Sequence, residues 1–262
     1  RARRRLGRPA EAEAAYREAL DIQRRSLGAD HPEVAKNMVF LADLIRDFRA
    51  DTAGAEQLYR RSLAMIRGRL GERHPALLHP LEQIALVHST RGEHAEAERL
   101  YREGLTIRRG VFGRESPMVA IGIDLLAGAL ARQGRAAEAE EYYREALALL
   151  KGGAPESEWT WAVSGTQATL GDLLTNEGRY EEAERLYRSA LAIRARIHGE
   201  EHFGYALVLA QLGRLKAESG DSARAITLYE RALEIGRETR TASHPDVKRL
   251  RRELAEIRRS EG

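Results

Sequence analysis

One tyrosine column constrains this chain more than any other feature. Six of its nine tyrosines, Tyr16, Tyr59, Tyr101, Tyr143, Tyr187 and Tyr229, recur at intervals of 43, 42, 42, 44 and 42 residues. Four residues after each stands a leucine: Leu20, Leu63, Leu105, Leu147, Leu191 and Leu233. A small residue precedes each leucine, at Ala19, Ser62, Gly104, Ala146, Ala190 and Ala232. Four residues before each tyrosine is Ala12, Ala55, Ala97, Ala139, Ala183 or Ala225. Nine before it is Gly7, Gly92, Gly134, Gly178 or Gly220, with Ala50 the exception. Fifteen after it is a link residue, His31, His74, Ser116, Glu158, His202 or His244, and Pro follows four of these. A fixed period of this length marks a chain built from stacked repeats.

Each period reads as two helices. The Ala-x3-Tyr-x2-small-Leu spacing lays one stripe along one face of a segment termed helix B. Helix A opens at the Pro of the link, where a missing N–H costs nothing. It ends at the Gly, which accepts the left-handed conformation after a helix end. Pro80, inside the second helix A, predicts a kink or a delayed start. The apolar column of helix A is Leu41, Ile84, Leu126, Leu170 and Leu212, each followed by a small residue: Ala42, Ala85, Ala127, Gly171 and Gly213. These small residues are expected to face the Ala column of helix B, with Tyr and Leu filling the space between successive hairpins. One hairpin cannot bury such a stripe alone, so the pattern predicts a solenoid.

Composition narrows function by exclusion. The chain has no cysteine, which removes disulfides, thiol nucleophiles and Cys-ligated metals. Its 43 Lys and Arg nearly balance 40 Asp and Glu, so bulk charge does not hold it on nucleic acid. The longest uncharged run, Trp159 to Gly171, falls short of the roughly 20 residues that cross a bilayer. Neither nucleic acid nor a membrane is an expected partner. No signal peptide opens the chain, and a cytoplasmic location is expected.

Together these columns resemble the tetratricopeptide repeat (TPR). That family pairs Leu-small in helix A with Ala-x3-aromatic-x2-Ala-Leu in helix B, seen here as Leu126-Ala127, then Ala139, Tyr143 and Ala146-Leu147. The period of about 42 residues and links such as Gly71-Glu72-Arg73-His74-Pro75 are similar to its kinesin-light-chain-like class, used widely in bacterial signalling proteins. The links depart from that pattern at Glu158-Trp159 and His202-Phe203. The resemblance implies an all-α fold, a right-handed superhelical solenoid of antiparallel helix pairs with about twelve helices, in a single domain over 1–262. Its expected parts are a helix B alone in 1–27, hairpins in 28–70, 71–112, 113–154, 155–198 and 199–240, and a polar capping helix in 241–262. The start of the chain resembles the tail of a helix A, so the native protein is expected to extend further toward the N-terminus.

No catalytic constellation stands out, and no enzyme activity or cofactor is expected. His31, His74, His202 and His244 each precede a helix A in a separate hairpin, which fits a helix-start role better than one shared ion. His74, His79, His88 and His94 are denser, but His74–His79 and His79–His88 miss the i, i+4 spacing of a helical metal pair. Gly152-Gly153 lacks the continuation of a phosphate loop. The acidic and hydroxyl side chains follow helix-surface periods and read as solvated. Arg1, Arg3, Arg4 and Arg5 read as an exposed helix end, without the interleaved aromatics that stack on bases. Counted from the link, Trp161 shares the column of Val34, Leu77, Val119, Tyr205 and Val247 and is expected in the core. Trp159 replaces the link Pro and is expected to cover the longer link or to form an exposed aromatic contact.

In TPR proteins the inner faces of the A helices form a concave groove, and the resemblance places three columns on it. They are Val39, Glu82, Asp124, Ala168 and Ala210; Asp43, Leu86, Gly128, Asp172 and Arg214; and Asp47, Thr90, Arg132, Asn176 and Glu218. All are expected to be exposed. Asp43, Glu82, Asp124 and Asp172 form an acidic band punctuated by Arg132 and Arg214, which favours a partner with basic and apolar groups. Chaperone-binding members use Lys and Asn at these inner positions, and kinesin-light-chain members an Asn-Asn pair before Leu-Ala; neither is present. The implied function is a monomeric, non-enzymatic scaffold that holds a peptide or helix of another protein. The alternative is a sensor or regulatory domain of a larger bacterial signalling protein whose effector domain lies elsewhere.

Overall fold

The computed structural model describes residues 9–49, 51–152, 159–240 and 244–260. Residues 1–7, Ala50, Gly153 and Glu158, singled out in the sequence, lie outside the described residues. The described residues form twelve α-helices and no strand. The helices are α1 (Pro9–Leu27), α2 (Pro32–Arg49), α3 (Thr52–Leu70), α4 (Leu78–Thr90), α5 (His94–Phe112) and α6 (Pro117–Arg132). They continue with α7 (Ala136–Gly152), α8 (Thr160–Asn176), α9 (Tyr180–His198), α10 (Phe203–Glu218), α11 (Ser222–Thr239) and α12 (Pro245–Ser260). The odd-numbered helices are the B helices of the repeat, and the even-numbered ones the A helices.

The link residues start the A helices as caps. Nδ1 of His31, His74, His202 and His244 accepts the backbone N–H of Glu33, Ala76, Gly204 and Asp246 at 3.2, 3.1, 3.0 and 3.3 Å. Ser116 Oγ accepts that of Met118 at 3.3 Å. The imidazoles thus take the role usually given to a Ser or Asp side chain at a helix start. At α8, Trp159 takes the cap position without a side-chain bond. Pro80 delays its helix: a 3-10 turn over Pro75–Leu77 comes first, and α4 starts at Leu78 with Pro80 in its first turn. Gly113 (φ 81°) and Gly134 (φ 77°) show the left-handed turn that ends α5 and α6.

The chain divides between Arg135 and Ala136 into two compact units. In each, every helix packs on its sequence neighbours, α1 to α6 in the first and α7 to α12 in the second. The repeat columns are the cores of both units. The Ala and Leu columns of helix B and the apolar column of helix A are buried throughout, as are Tyr59, Tyr101, Tyr143, Tyr187 and Tyr229. The tyrosines sit differently from the sequence expectation. A Cβ on Gly171 would stand 2.7 Å from the Tyr187 ring, and one on Gly213 would stand 2.9 Å from Tyr229. The small residue of helix A therefore makes room for the tyrosine of its own hairpin. In α12, Val247, Leu250 and Leu254 are buried and most of the rest is polar, as a terminal helix requires.

A column of glutamates corrects the reading of all acidic residues as solvated. Glu13 and Glu56 are buried, and Glu98, Glu140 and Glu184 are mostly covered. Each pairs with the arginine one turn on: Arg17, Arg60, Arg102, Arg144 and Arg188 at 2.5 to 2.7 Å. Four also receive a cation from the next helix A or the turn after it. These are Arg91 on Glu56, Arg135 on Glu98, Arg179 on Glu140 and Lys216 on Glu184, at 2.7 to 2.9 Å. The glutamates lie on the flank of helix B, and the end of the following A helix covers that flank.

Candidate interaction surface

The A helices carry the columns on which a partner is expected, and their placement depends on small residues. Gly171 and Gly213 let Tyr187 and Tyr229 of their own hairpins approach closely. Val39, Ala168 and Ala210, expected at the surface, are buried. Asp43 is also buried, at 8% exposure. Its carboxylate accepts Tyr59 Oη–H at 2.6 Å and His79 Nε2–H at 2.9 Å. Burial pushes the Asp43 carboxyl up, but the bonds from His79 and Tyr59 and the charge of Arg46 outweigh it and hold it below the ordinary range. Glu82 pairs with Arg108, a buried guanidinium. Gly122 makes room for Arg108: a Cβ there would lie 3.1 Å from its Cδ. Asp124 is half-buried, Leu86 is 37% exposed, and Arg132 is exposed with a guanidinium N–H 3.4 Å from Gly128 O.

The second unit repeats the arrangement with other donors. Asp172 accepts Tyr187 Oη–H at 2.8 Å, Gln211 Nε2–H at 2.6 Å and Arg214 Nη2–H at 2.9 Å. Arg214 also donates to Asn176 Oδ1 at 2.8 Å and Glu218 Oε1 at 3.4 Å. Asp172, Asn176, Arg214 and Glu218 are thus brought together in one ladder between α8 and α10. Burial, with the Asp172 charge beside it, raises the Tyr187 hydroxyl well above its usual range, so it stays a donor. Asp43, Glu82 and Asp172 are therefore already bonded from within, Glu82 and Asp172 by arginine, and the acidic band is less open to a partner than the charges in the sequence suggest.

The two tryptophans exchange roles. Trp159 is half-buried at the start of α8, whereas Trp161 is 54% exposed. The 44-residue repeat carries its two extra residues in the link, so counting from the link falls two residues short. Counting back from Gly171 places Val163, which is half-buried, in the column of Val34, Leu77 and Val119. Two residues turn a helix by about 200°, which carries Trp161 to the outside. Trp161, Gly165, Ala168 and Asp172 follow the i, i+4, i+7, i+11 course of one helical face. Around Gly165 there is open space within 4 Å of where a Cβ would stand. The signal that locates Trp161 is the distance to Gly171, not to the link.

Sets of three or more His, Asp or Glu arranged to hold a metal are absent among the described residues. His198 and His202 do hold the four-residue spacing, and their rings stack with centroids 4.5 Å apart, but Nδ1 of His202 is committed to its cap. No described helix is long and apolar enough to cross a membrane.

The sequence pattern of the tetratricopeptide repeat matches residues 1–68, 49–110, 77–152 and 163–238. The chain belongs to the TPR family. TPR arrays generally mediate protein–protein interaction and are typically non-catalytic scaffolds. No curated protein matches by sequence. Among solved structures, BtubC (BKLC) from P. vanneervenii is similar with a TM-score of 0.64 at 24% identity, covering 87% of this chain and 89% of that one. A Podosopora anserina protein, described as a kinesin light chain with nearly identical TPR-like repeats, gives 0.59 at 22% identity over 80% and 99%. At these identities the likeness establishes the fold alone.

Proposed function

We propose that this TPR chain is a non-enzymatic scaffold that holds a peptide or helix of another protein on the A-helix face of its repeats. Trp161 carries the reading. A tryptophan that stands 54% exposed on that face, beside the open space at Gly165, has the character of an interface hot spot. Leu86, 37% exposed on α4, offers a second apolar point in the first unit. The partner contributes apolar groups first. Its basic groups compete with Arg108 and Arg214 for carboxylates already paired, and therefore add less. Affinity capture with quantitative mass spectrometry, comparing wild type with Trp161→Ala, tests this. The expected result is a partner depleted from the variant while circular dichroism stays unchanged. Equal recovery of every captured protein would contradict it.

A further inference from the structure

A cleft of about 300 Å3 opens in the first unit between α3 and α5, over α4. Leu63, Ile84 and Leu100 give it apolar walls, and Arg60, Arg67 and Arg99 reach into it. Its floor breaks the repeat. Three residues after the small residue of helix A, other repeats bury Ile45, Leu130 and Leu174, whereas His88 stands here at 8% exposure. Lys216 breaks the same column in the second unit, but its pairing with Glu184 accounts for it. His88 Nδ1 is bonded to Glu93, and its Nε2 lies 3.3 Å from Arg60 Nη2. A polar group in a core column costs free energy unless something compensates it, so such departures mark candidate sites.

The lining is cationic. Three arginines and the histidine line the cleft against one carboxylate, Glu96. Other carboxylates anchor these arginines from outside the lining: Glu56 holds Arg60, Glu72 and Glu103 hold Arg67, and Glu103 stands 3.6 Å from Arg99. A guanidinium has five N–H donors, so one anchored this way keeps others for a ligand. The field is visible on Glu96. The Arg99 hydrogen bond above all, with the charges of Arg99, His88 and Arg60 adding, outweighs a slight upward push from burial and holds its carboxyl below the ordinary range.

We propose that this cleft takes an acidic side chain, with an adjoining apolar group, from a protein partner. The inference rests on the protein-binding reading above but uses a different surface, walled by the B helices α3 and α5 with α4 as its floor. The test titrates the full chain with an acetylated Glu-Leu-Glu-Leu-Glu peptide and with its Gln-Leu-Gln-Leu-Gln counterpart. Affinity is read by anisotropy, and the site by NMR shifts of the arginine Nε–H and His88 signals. Arg60→Gln/Arg99→Gln removes two half-exposed cations; Glu56 loses Arg60 but keeps Arg91, and circular dichroism checks that the fold is kept. Arg61→Gln/Arg69→Gln removes the same charge from α3 outside the lining.

The acidic peptide is expected to bind, and to lose about tenfold or more in the cleft variant but about twofold or less in the control, because charge-assisted bonds are lost only in the former. The Gln peptide is expected to bind about tenfold more weakly. Equal loss in both variants, no binding to wild type, or shifts mapping away from His88 would each overturn the proposal. So would inorganic phosphate binding the cleft where the peptide does not, since that shows an anion site without a protein ligand. Peptide binding lost with Trp161→Ala but kept in the cleft variant would refute the cleft and leave the A-helix face standing.

Discussion

A histidine that caps a helix through Nδ1 must keep that nitrogen unprotonated. His202 is the clearest case. Burial first, then His198, Arg240 and Arg194, hold its pKa below the ordinary 6.5. The unfolded chain then takes up the proton before the folded one as pH falls. The stability from this group is complete above 6.5 and is lost as pH falls below it. Melting temperature is expected to drop between pH 7.5 and 5.5, and His202→Ser, which keeps a capping oxygen and cannot titrate, is expected to reduce that drop; an identical drop in the variant would refute the assignment. Gly171 makes a second claim at this scale. With Tyr187 fully buried and a Cβ expected 2.7 Å from its ring, Gly171→Ala is expected to destabilise the chain by about 1–3 kcal/mol, checked by urea unfolding. The sequence showed that a small residue belongs at position 171 but not which ring it faces, because period alone does not choose between neighbours. Trp161 failed for a related reason: a register counted from a link of variable length drifts.

At the scale of the helix, the glutamate column joins successive repeats. Glu98 receives Gln133, Arg102 and Arg135. Burial raises its carboxyl, and these three partners more than reverse that, leaving it below the ordinary 4.5. Its contribution is therefore present above pH 4.5 and lost as pH falls below it. Glu98→Gln is expected to cost about 1 kcal/mol at pH 7, since the arginines are partly exposed and solvent screens them, and less at pH 3. Thermal melts at the two pH values check this, and an equal cost at both would argue against the ion pairs. Helix positions, starts and faces were legible in the Tyr, Ala and Pro columns. Burial of Glu56 and Glu98 was not, because the covering group comes from the end of the next A helix, a tertiary contact that no local period encodes.

Within each unit, contacts run between sequence neighbours and, more sparsely, between next-but-one helices, so stability is a sum of local terms. Damage should then stay local. Gly171→Ala is expected to speed amide hydrogen exchange in α8 to α10 and leave α2 to α4 unchanged; uniform acceleration would mean the chain opens as one unit. The fold was legible almost entirely, since six repeats supplied the same message. The interaction surface was legible only in outline. Charges are read from a sequence singly, whereas Asp43, Glu82 and Asp172 carry partners 15 to 42 residues away. Trp161 is the most exposed large apolar side chain among the described residues, and its emission is the most direct test of the account. In a Trp159→Phe background the remaining indole reports alone. Titrating the captured partner is expected to shift its emission to shorter wavelength and to saturate with binding. A partner that binds fully while the emission keeps its solvent-exposed wavelength would contradict the account.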